Sequence, residues 1–149
     1  ALRVGTLSKT LGSLGGFVAG PARLTNLLVN RARSYIFTTA STPGDAAAAL
    51  AAVRVVRSSE GDALRARLRT NIEILRRGHP SPIIPIPCGS ETRALEAADA
   101  LLARGILVPA IRPPTVAPGT SRLRVALSAA HTPGQISTLR DELARLGLA

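Results

Sequence analysis

The segment that decides the fold is Gly5-Thr6-Leu7-Ser8-Lys9-Thr10-Leu11-Gly12-Ser13-Leu14-Gly15-Gly16, a glycine-rich turn that carries the only lysine of the chain. The other 18 of the 19 basic residues are arginines. Arginine stays protonated at every accessible pH, whereas a lysine amine can lose its proton and act as a nucleophile. Lys9 is therefore a candidate for Schiff-base chemistry. The alternative is that Lys9 is an ordinary surface lysine in a chain whose codon usage otherwise favours arginine.

The composition is typical of a soluble globular protein whose core is aliphatic. Of the 149 residues, 46% are apolar, 19% are charged and only 2% are aromatic. This length suits one ordinary domain, and no apolar run reaches the ~18 residues that a membrane helix needs. The single cysteine, Cys88, excludes an internal disulfide and fits a reducing cytoplasm, so we predict a cytoplasmic protein. We predict no metal site.

The start of the chain predicts a C-terminal portion of a longer protein. The sequence contains no methionine and runs directly from Ala1 into the lysine segment. We expect residues 1–57 to be the tail of a larger α/β domain and residues 58–149 to be a small C-terminal α/β domain with a sheet of about three strands. Alternation of strand-like and helix-like segments supports the α/β class.

Local patterns predict the individual elements. We predict a short strand that ends within residues 2–5, a buried strand over 16–20, an edge strand over 83–88, and further strands over 106–111 and 122–128. We also predict an extended segment over 35–43. We predict helices over 21–33, 44–77 with a break at 58–61, 91–104 and from 132 to 146. Expected caps include Thr42 or Gly44, Ser90, and the closing glycines Gly78, Gly105 and Gly147.

The chemistry of the lysine turn narrows the type of ligand. A glycine-rich turn lets backbone N–H groups approach a phosphate or a carboxylate. The Gly-x-x-x-x-Gly-Lys-Ser/Thr spacing of a nucleotide-binding P-loop does not occur in the chain. A phosphate-bearing cofactor that condenses with an amine fits better, and pyridoxal 5′-phosphate (PLP) is such a cofactor.

Four ordered motifs resemble those of the α-oxoamine synthases, a family of fold-type I PLP enzymes. They are the lysine segment 5–20, the threonine pair in 35–40, the loop and strand segments 112–116 and 119–124, and the segment 127–132. The resemblance covers nearly the whole chain. It implies the C-terminal part of the fold-type I transferase fold and a reaction that joins an amino acid to an acyl thioester with loss of carbon dioxide.

The resemblance also implies the cofactor-binding residues. Lys9 would hold PLP as a Schiff base and then move protons at the substrate α-carbon, and burial would lower its pKa enough for that role. Thr6 would contact the cofactor phosphate. Thr38 and Thr39 would reach the phosphate in the neighbouring subunit's site, which implies a homodimer with shared active sites. Without the resemblance, both threonines are better explained as ordinary strand residues.

Two further residues are implied to bind substrate. Thr115 would contact the substrate, and Arg124 would bind the carboxylate of the amino acid, for which a guanidinium fork is well suited. Without the resemblance, Arg124 is equally well explained as an ordinary residue on a solvent-exposed strand face. The loop 112–116 most resembles the family member that uses L-alanine and a pimeloyl thioester, although Ala117 replaces an expected proline. Members that use glycine or serine are the first alternative.

A different class of function also has to be weighed, because the net charge is +10. A basic, non-catalytic module would bind nucleic acid. The arginines are spread along the chain and few aromatics are present for base stacking, so we predict neither a nucleic acid nor a membrane partner. The family supplies further cofactor contacts before its lysine, so we expect residues 1–149 alone to be inactive. We interpret His131, His79 and Cys88 as structural, with His79 exposed.

Overall fold

The computed structural model describes residues 1–148, which divide into two compact units, 1–62 and 63–148. Among residues 1–148, no helix combines the length and the apolar character that crossing a membrane requires.

The first unit is a β-hairpin followed by helices. Its elements are β1 (Arg3–Thr6), β2 (Gly16–Ala19), α1 (Ala22–Arg31), α2 (Arg33–Ile36), α3 (Pro43–Val56) and the start of α4 (Ser59–Leu75). β1 and β2 are antiparallel partners in a two-stranded sheet. Thr42 caps α3, because its hydroxyl accepts the Asp45 N–H at 3.1 Å, as the sequence predicts.

Two sequence predictions in this unit are wrong, and the position of a third is shifted. The strand expected to be buried at Gly16–Ala19 is exposed throughout, because it pairs only with β1. The segment expected to be extended from Tyr35 begins inside α2, since the N–H groups of Tyr35 and Ile36 both bond to the Ala32 carbonyl. The break in the long helical stretch is confirmed, but it lies between Val56 and Ser59, and Gly61 is helical.

The second unit is a three-stranded sheet with helices on one face. After α4 come β3 (Ile83–Gly89), α5 (Glu91–Leu102), β4 (Ala110–Ile111), β5 (Ser121–Ala126) and α6 (Pro133–Arg145). The strand order is β3-β5-β4 and both pairings are antiparallel. The predicted three-stranded sheet and the edge position of β3 are confirmed.

The predicted strand 106–111 is reduced to its last two residues. Only Ala110 and Ile111 pair with β5. The Ile106 N–H instead bonds to the Leu101 carbonyl at the end of α5. Pro109 has no N–H to contribute to a ladder, although its carbonyl accepts the Arg124 N–H at 3.0 Å. Proline thus limits the strand.

Alternating side chains of the sheet build the core. Ile84, Ile86 and Cys88 on β3 point to the same side as Leu123 and Val125 on β5, and all are buried. The helices cover this face with the buried residues Ile72 of α4, Ala94, Ala97 and Leu101 of α5, and Ile136, Leu139 and Leu143 of α6. The period of two in the strands and the helical spacing in α6 confirm the predicted core face.

One charged group is nearly enclosed at the end of α6. Glu142 is 8% exposed and accepts hydrogen bonds from Arg145 at 2.8 Å and from Arg104 at 2.8 Å. The hydrogen bonds from Arg145 and then Arg104 hold the pKa of the Glu142 carboxyl below its ordinary value of 4.5. This carboxylate therefore ties α6 to the residues that follow α5.

Candidate functional site

The loop between β1 and β2 holds Lys9 and is closed by its own backbone hydrogen bonds. The Leu7 N–H bonds to the Gly15 carbonyl, and the Ser13 N–H bonds back to the Leu7 carbonyl, each at 2.9 Å. The Gly12 N–H bonds to the carbonyl of Lys9, also at 2.9 Å. These bonds position Lys9 on an ordered turn at the end of the hairpin.

The glycines of this hairpin are needed for backbone geometry and for close packing. Gly12 has φ +59° and Gly15 has φ +105°, a region that L residues rarely adopt. A Cβ atom on Gly5 would lie 2.5 Å from the Phe17 ring on the opposite strand. Glycine therefore permits both the turn that presents Lys9 and the aromatic contact beside it.

The side chain of Lys9 is exposed and makes no hydrogen bond or ion pair with residues 1–148. The burial that we expected around its amine is therefore not provided by the described residues.

Two hydroxyl groups lie next to Lys9 in the sequence. The Thr6 and Ser8 hydroxyl oxygens are 2.8 Å apart, and the Ser8 N–H donates to Thr6 Oγ1 at 3.2 Å. Ser8 was not predicted as a site residue, although its place between Thr6 and Lys9 was a signal for a second hydroxyl.

The predicted threonine pair lies in the segment between α2 and α3. Thr38 and Thr39 are exposed, and their side chains make no hydrogen bond with the described residues. The segment that follows them is tied to the lysine loop, because Ser13 Oγ donates to the Asp45 carbonyl at 2.6 Å. A Cβ on Gly15 would lie 3.6 Å from the Ser41 hydroxyl. The first unit thus brings the lysine loop and the threonine segment together.

The two predicted substrate residues lie in the second unit. Arg124 is on β5, between the buried residues Leu123 and Val125, and its side chain is exposed on the sheet face opposite to the core. Its guanidinium makes no ion pair or hydrogen bond within residues 1–148. Arg124 is thus free to bind an anion.

Thr115 lies in the loop that joins β4 to β5. Its N–H donates to the Arg112 carbonyl at 3.0 Å, and Arg112 forms an ion pair with Glu91 at 2.8 Å. The peptide bond between Pro113 and Pro114 is cis. The Thr115 side chain is exposed. The loop is therefore anchored at its start to α5, and it presents the threonine hydroxyl to solvent.

The residues that we interpreted as structural have structural surroundings. His131 Nδ1 accepts the Ser128 N–H at 3.1 Å, and Cys88 is 5% exposed in the core. His79 is half-buried rather than exposed, because its Nδ1 accepts the Ser81 N–H at 3.2 Å. The burial of Cys88 confirms its predicted place in the core, the structural interpretation of His131 stays a prediction, and the predicted exposure of His79 is wrong.

The donor set of the lysine loop fits part of a PLP site. An unpaired primary amine can condense with an aldehyde, and hydroxyls next to a glycine-rich turn can donate to a phosphate. Lys9, Thr6 and Ser8 supply these groups on one turn. The loop therefore fits the aldehyde and the phosphate of such a cofactor.

Comparison with known proteins places this chain in a family. The profile of "Aminotransferase class I and II" matches residues 1–143, so the chain belongs to the class I and II aminotransferase family. Within it, the chain is 49% identical over 148 residues to an 8-amino-7-oxononanoate synthase of Methylorubrum populi, with 97% of this chain and 38% of that protein covered.

Solved structures support the same assignment of the fold. A serine palmitoyltransferase from S. paucimobilis with a bound PLP–myriocin aldimine superposes with a TM-score of 0.87 at 29% identity, covering 99% of this chain and 41% of that one. An 8-amino-7-oxononanoate synthase from Francisella tularensis gives a TM-score of 0.81 at 28% identity, with coverage of 97% and 44%. The chain is thus part of a fold-type I PLP-enzyme fold, and it spans about two fifths of these relatives' length.

Proposed function

We propose that this chain is the lysine-bearing part of a PLP-dependent acyltransferase, an 8-amino-7-oxononanoate synthase of biotin biosynthesis. Its reaction is the decarboxylative condensation of L-alanine with a pimeloyl thioester, carried on CoA or on a carrier protein. The observation that supports this most is the unpaired amine of Lys9 on a glycine-rich turn, in a chain 49% identical to such a synthase.

Each predicted residue has a task in this proposal. PLP, when bound, supplies an aldehyde and a ring that accepts electrons. The Lys9 amine holds the cofactor and then moves the proton at the α-carbon of alanine. The Thr6 hydroxyl donates to the phosphate. Lys9 needs a less solvated environment to act as a base near neutral pH. We therefore propose that protein outside residues 1–148 covers its amine.

The carboxylate of alanine is assigned to Arg124. Its guanidinium has no partner among residues 1–148 and projects from a rigid central strand, so it can bind a carboxylate through two parallel hydrogen bonds. Thr115, on the loop anchored by the Arg112–Glu91 ion pair, contacts the same substrate.

The proposed assembly is a homodimer. Thr38 and Thr39 are exposed and unpaired within the described chain, and we assign their hydroxyls to the phosphate in the partner subunit's site. The first unit is then the tail of the large PLP-binding domain, and the second is the small C-terminal domain. Many apolar side chains of the first unit are exposed, and Val4 and Phe37 are exposed to 78% and 74%, which favours further protein packed on this unit.

The test uses a completed enzyme, in which residues 1–149 are joined to the part of the M. populi synthase that they do not match. With PLP, L-alanine and pimeloyl-CoA, it should form 8-amino-7-oxononanoate, and Lys9→Arg should abolish turnover because Arg cannot form a Schiff base. The isolated chain should be inactive. Preference for glycine or serine over alanine would contradict the substrate assignment, and turnover by the isolated chain would contradict its inactivity.

A further inference from the structure

The face of the three-stranded sheet that carries Arg124 presents a second arginine. In β5 the outward positions alternate with the buried ones, so Arg122 and Arg124 lie on the same face. Neighbours two apart on a strand have Cα atoms about 7 Å from one another. The pattern Arg122-Leu123-Arg124 is the sequence signal for this pair, and a role was predicted only for Arg124.

The strands on either side give this pair an apolar frame. Arg122 lies opposite Pro87 of β3 and Ile111 of β4, and Arg124 lies opposite Pro85 of β3. None of these neighbours carries a charge. The acidic residue at the start of α5, Glu91, is occupied by its 2.8 Å ion pair with Arg112. The two guanidinium groups are therefore not neutralised within residues 1–148.

The Arg122 guanidinium is held through its Nε atom, which leaves its terminal NH₂ groups available. Its Nε–H donates to the Thr120 carbonyl at 2.9 Å, and the side chain is half-buried. A guanidinium has five N–H donors, so the bond through Nε fixes the plane while the terminal NH₂ groups remain unpaired. Such a fixed fork suits a carboxylate.

We propose that Arg122 is a specificity-determining residue that binds the distal carboxylate of the acyl substrate, while Arg124 binds the carboxylate of the amino acid. This inference rests on the proposed function, whose acyl group is dicarboxylic. The two arginines are separated along the strand, which suits two carboxylates several carbon atoms apart. The apolar side chains of Pro87 and Ile111 then flank the methylene chain that connects the reacting thioester to the distal carboxylate.

The test compares two acyl thioesters of equal chain length in the completed enzyme. Pimeloyl-CoA has the distal carboxylate and heptanoyl-CoA lacks it. We expect Arg122→Gln to raise KM for pimeloyl-CoA tenfold or more, since a charge-assisted bidentate contact is lost. KM for L-alanine and kcat/KM with heptanoyl-CoA should be unchanged. The matched control is Arg140→Gln, which removes an exposed arginine paired with Asp141 on α6 and should alter none of these values.

Equal losses with both thioesters, or no loss with pimeloyl-CoA, would overturn the proposal. Arg122→Lys keeps the charge and the strand, and it should lose part of the preference for pimeloyl-CoA even if Arg122→Gln does not fold. A binding measurement separates this inference from the proposed function. In the 149-residue chain, the monoamide of pimelic acid, which keeps one carboxylate, should shift the Arg122 Nε–H resonance, whereas the uncharged heptanamide should not. The same response to both compounds would refute the site whether or not the completed enzyme makes 8-amino-7-oxononanoate.

Discussion

Ser13 Oγ donates a 2.6 Å hydrogen bond to the backbone carbonyl of Asp45, which joins the lysine loop to the first turn of α3. The same turn of α3 is capped by Thr42, whose hydroxyl accepts the Asp45 N–H. Asp45 therefore uses its two backbone polar groups to connect the cap and the loop. This bond supports the position of the turn that presents Lys9.

Removing that hydroxyl should loosen the lysine loop. We expect Ser13→Ala to cost about 0.5–1.5 kcal/mol, the usual net value of one hydrogen bond, and to speed amide hydrogen exchange at Leu7 and Gly12. Ser34→Ala is the control, because Ser34 is an exposed serine of α2 without a side-chain hydrogen bond in the described chain. Unchanged exchange rates at both amides in Ser13→Ala would show that the bond does not order the loop.

The junction of α3 and α4 requires a glycine at position 61. A Cβ there would lie 2.8 Å from the Val56 carbonyl oxygen and would also clash with the Val55 carbonyl oxygen. Because both obstacles are backbone atoms, we expect Gly61→Ala to destabilise the chain by about 1–3 kcal/mol, measured by urea unfolding.

Gly44→Ala is the matched control for that substitution. It lies in the first turn of α3, and the nearest atom to its Cβ would be the Thr42 hydroxyl at 3.9 Å. The expected result is no loss, or a gain of about 0.4–1 kcal/mol from reduced freedom of the unfolded chain. Equal effects of the two alanines would contradict the packing that we describe for Gly61.

Asn71 of α4 holds the loop between β5 and α6. Its Nδ2 group donates to the carbonyls of Ser128 at 3.1 Å and His131 at 3.0 Å, and the residue is only 3% exposed. Asn71→Ala removes the side-chain donor to the His131 carbonyl and one of the two donors to the Ser128 carbonyl, which keeps the His131 N–H at 3.3 Å, so we expect a loss of about 1–3 kcal/mol. Thr70→Ala, on the exposed side of the same helix, should stay within about 0.5 kcal/mol. Thermal unfolding that does not distinguish the two variants would argue against the clamp.

The carboxylate of Glu142 should make the stability of the folded chain depend on pH in the acid range. Its pKa is lowered in the folded chain by hydrogen bonds from Arg145 and Arg104, relative to an ordinary value of 4.5. The stabilisation is therefore fully present above pH 4.5 and is lost as the pH falls through the folded pKa. Glu142→Gln should lower Tm at neutral pH, and its difference from the parent chain should vanish in acid.

The control for this pH dependence is Glu96→Gln, which neutralises an exposed glutamate of α5. It should leave the pH dependence of Tm close to that of the parent chain. If Glu142→Gln kept the same deficit in acid as at neutral pH, the loss would come from packing rather than from the charge.

The second unit could be predicted from the sequence more fully than the first. The alternation in β3 and β5 and the spacing of Ile136, Leu139 and Leu143 in α6 match the buried face, because these residues find their partners within the unit. The predicted strand over 106–111 was too long, because Pro109 interrupts the ladder and only Ala110 and Ile111 pair with β5. Strand pairing depends on the neighbouring strand, which local apolar content does not reveal.

The first unit shows where local patterns do not suffice. Gly16–Ala19 has the composition of a buried strand but is exposed, because burial requires packing partners that residues 1–148 do not supply to it. For the site, the lone lysine and the glycines of its turn could be identified from the sequence. The contact between Ser13 and Asp45 could not, because it joins residues 32 positions apart.

The central claim is that Lys9 is the residue that binds PLP covalently. The most direct measurement is to incubate the completed enzyme with PLP, reduce it with borohydride, and locate the pyridoxyl group by mass spectrometry of its peptides. We predict the modification on Lys9 in the parent protein and its loss in Lys9→Arg. A pyridoxyl group on another amine with Lys9 unmodified, or none in a folded completed enzyme, would contradict the account.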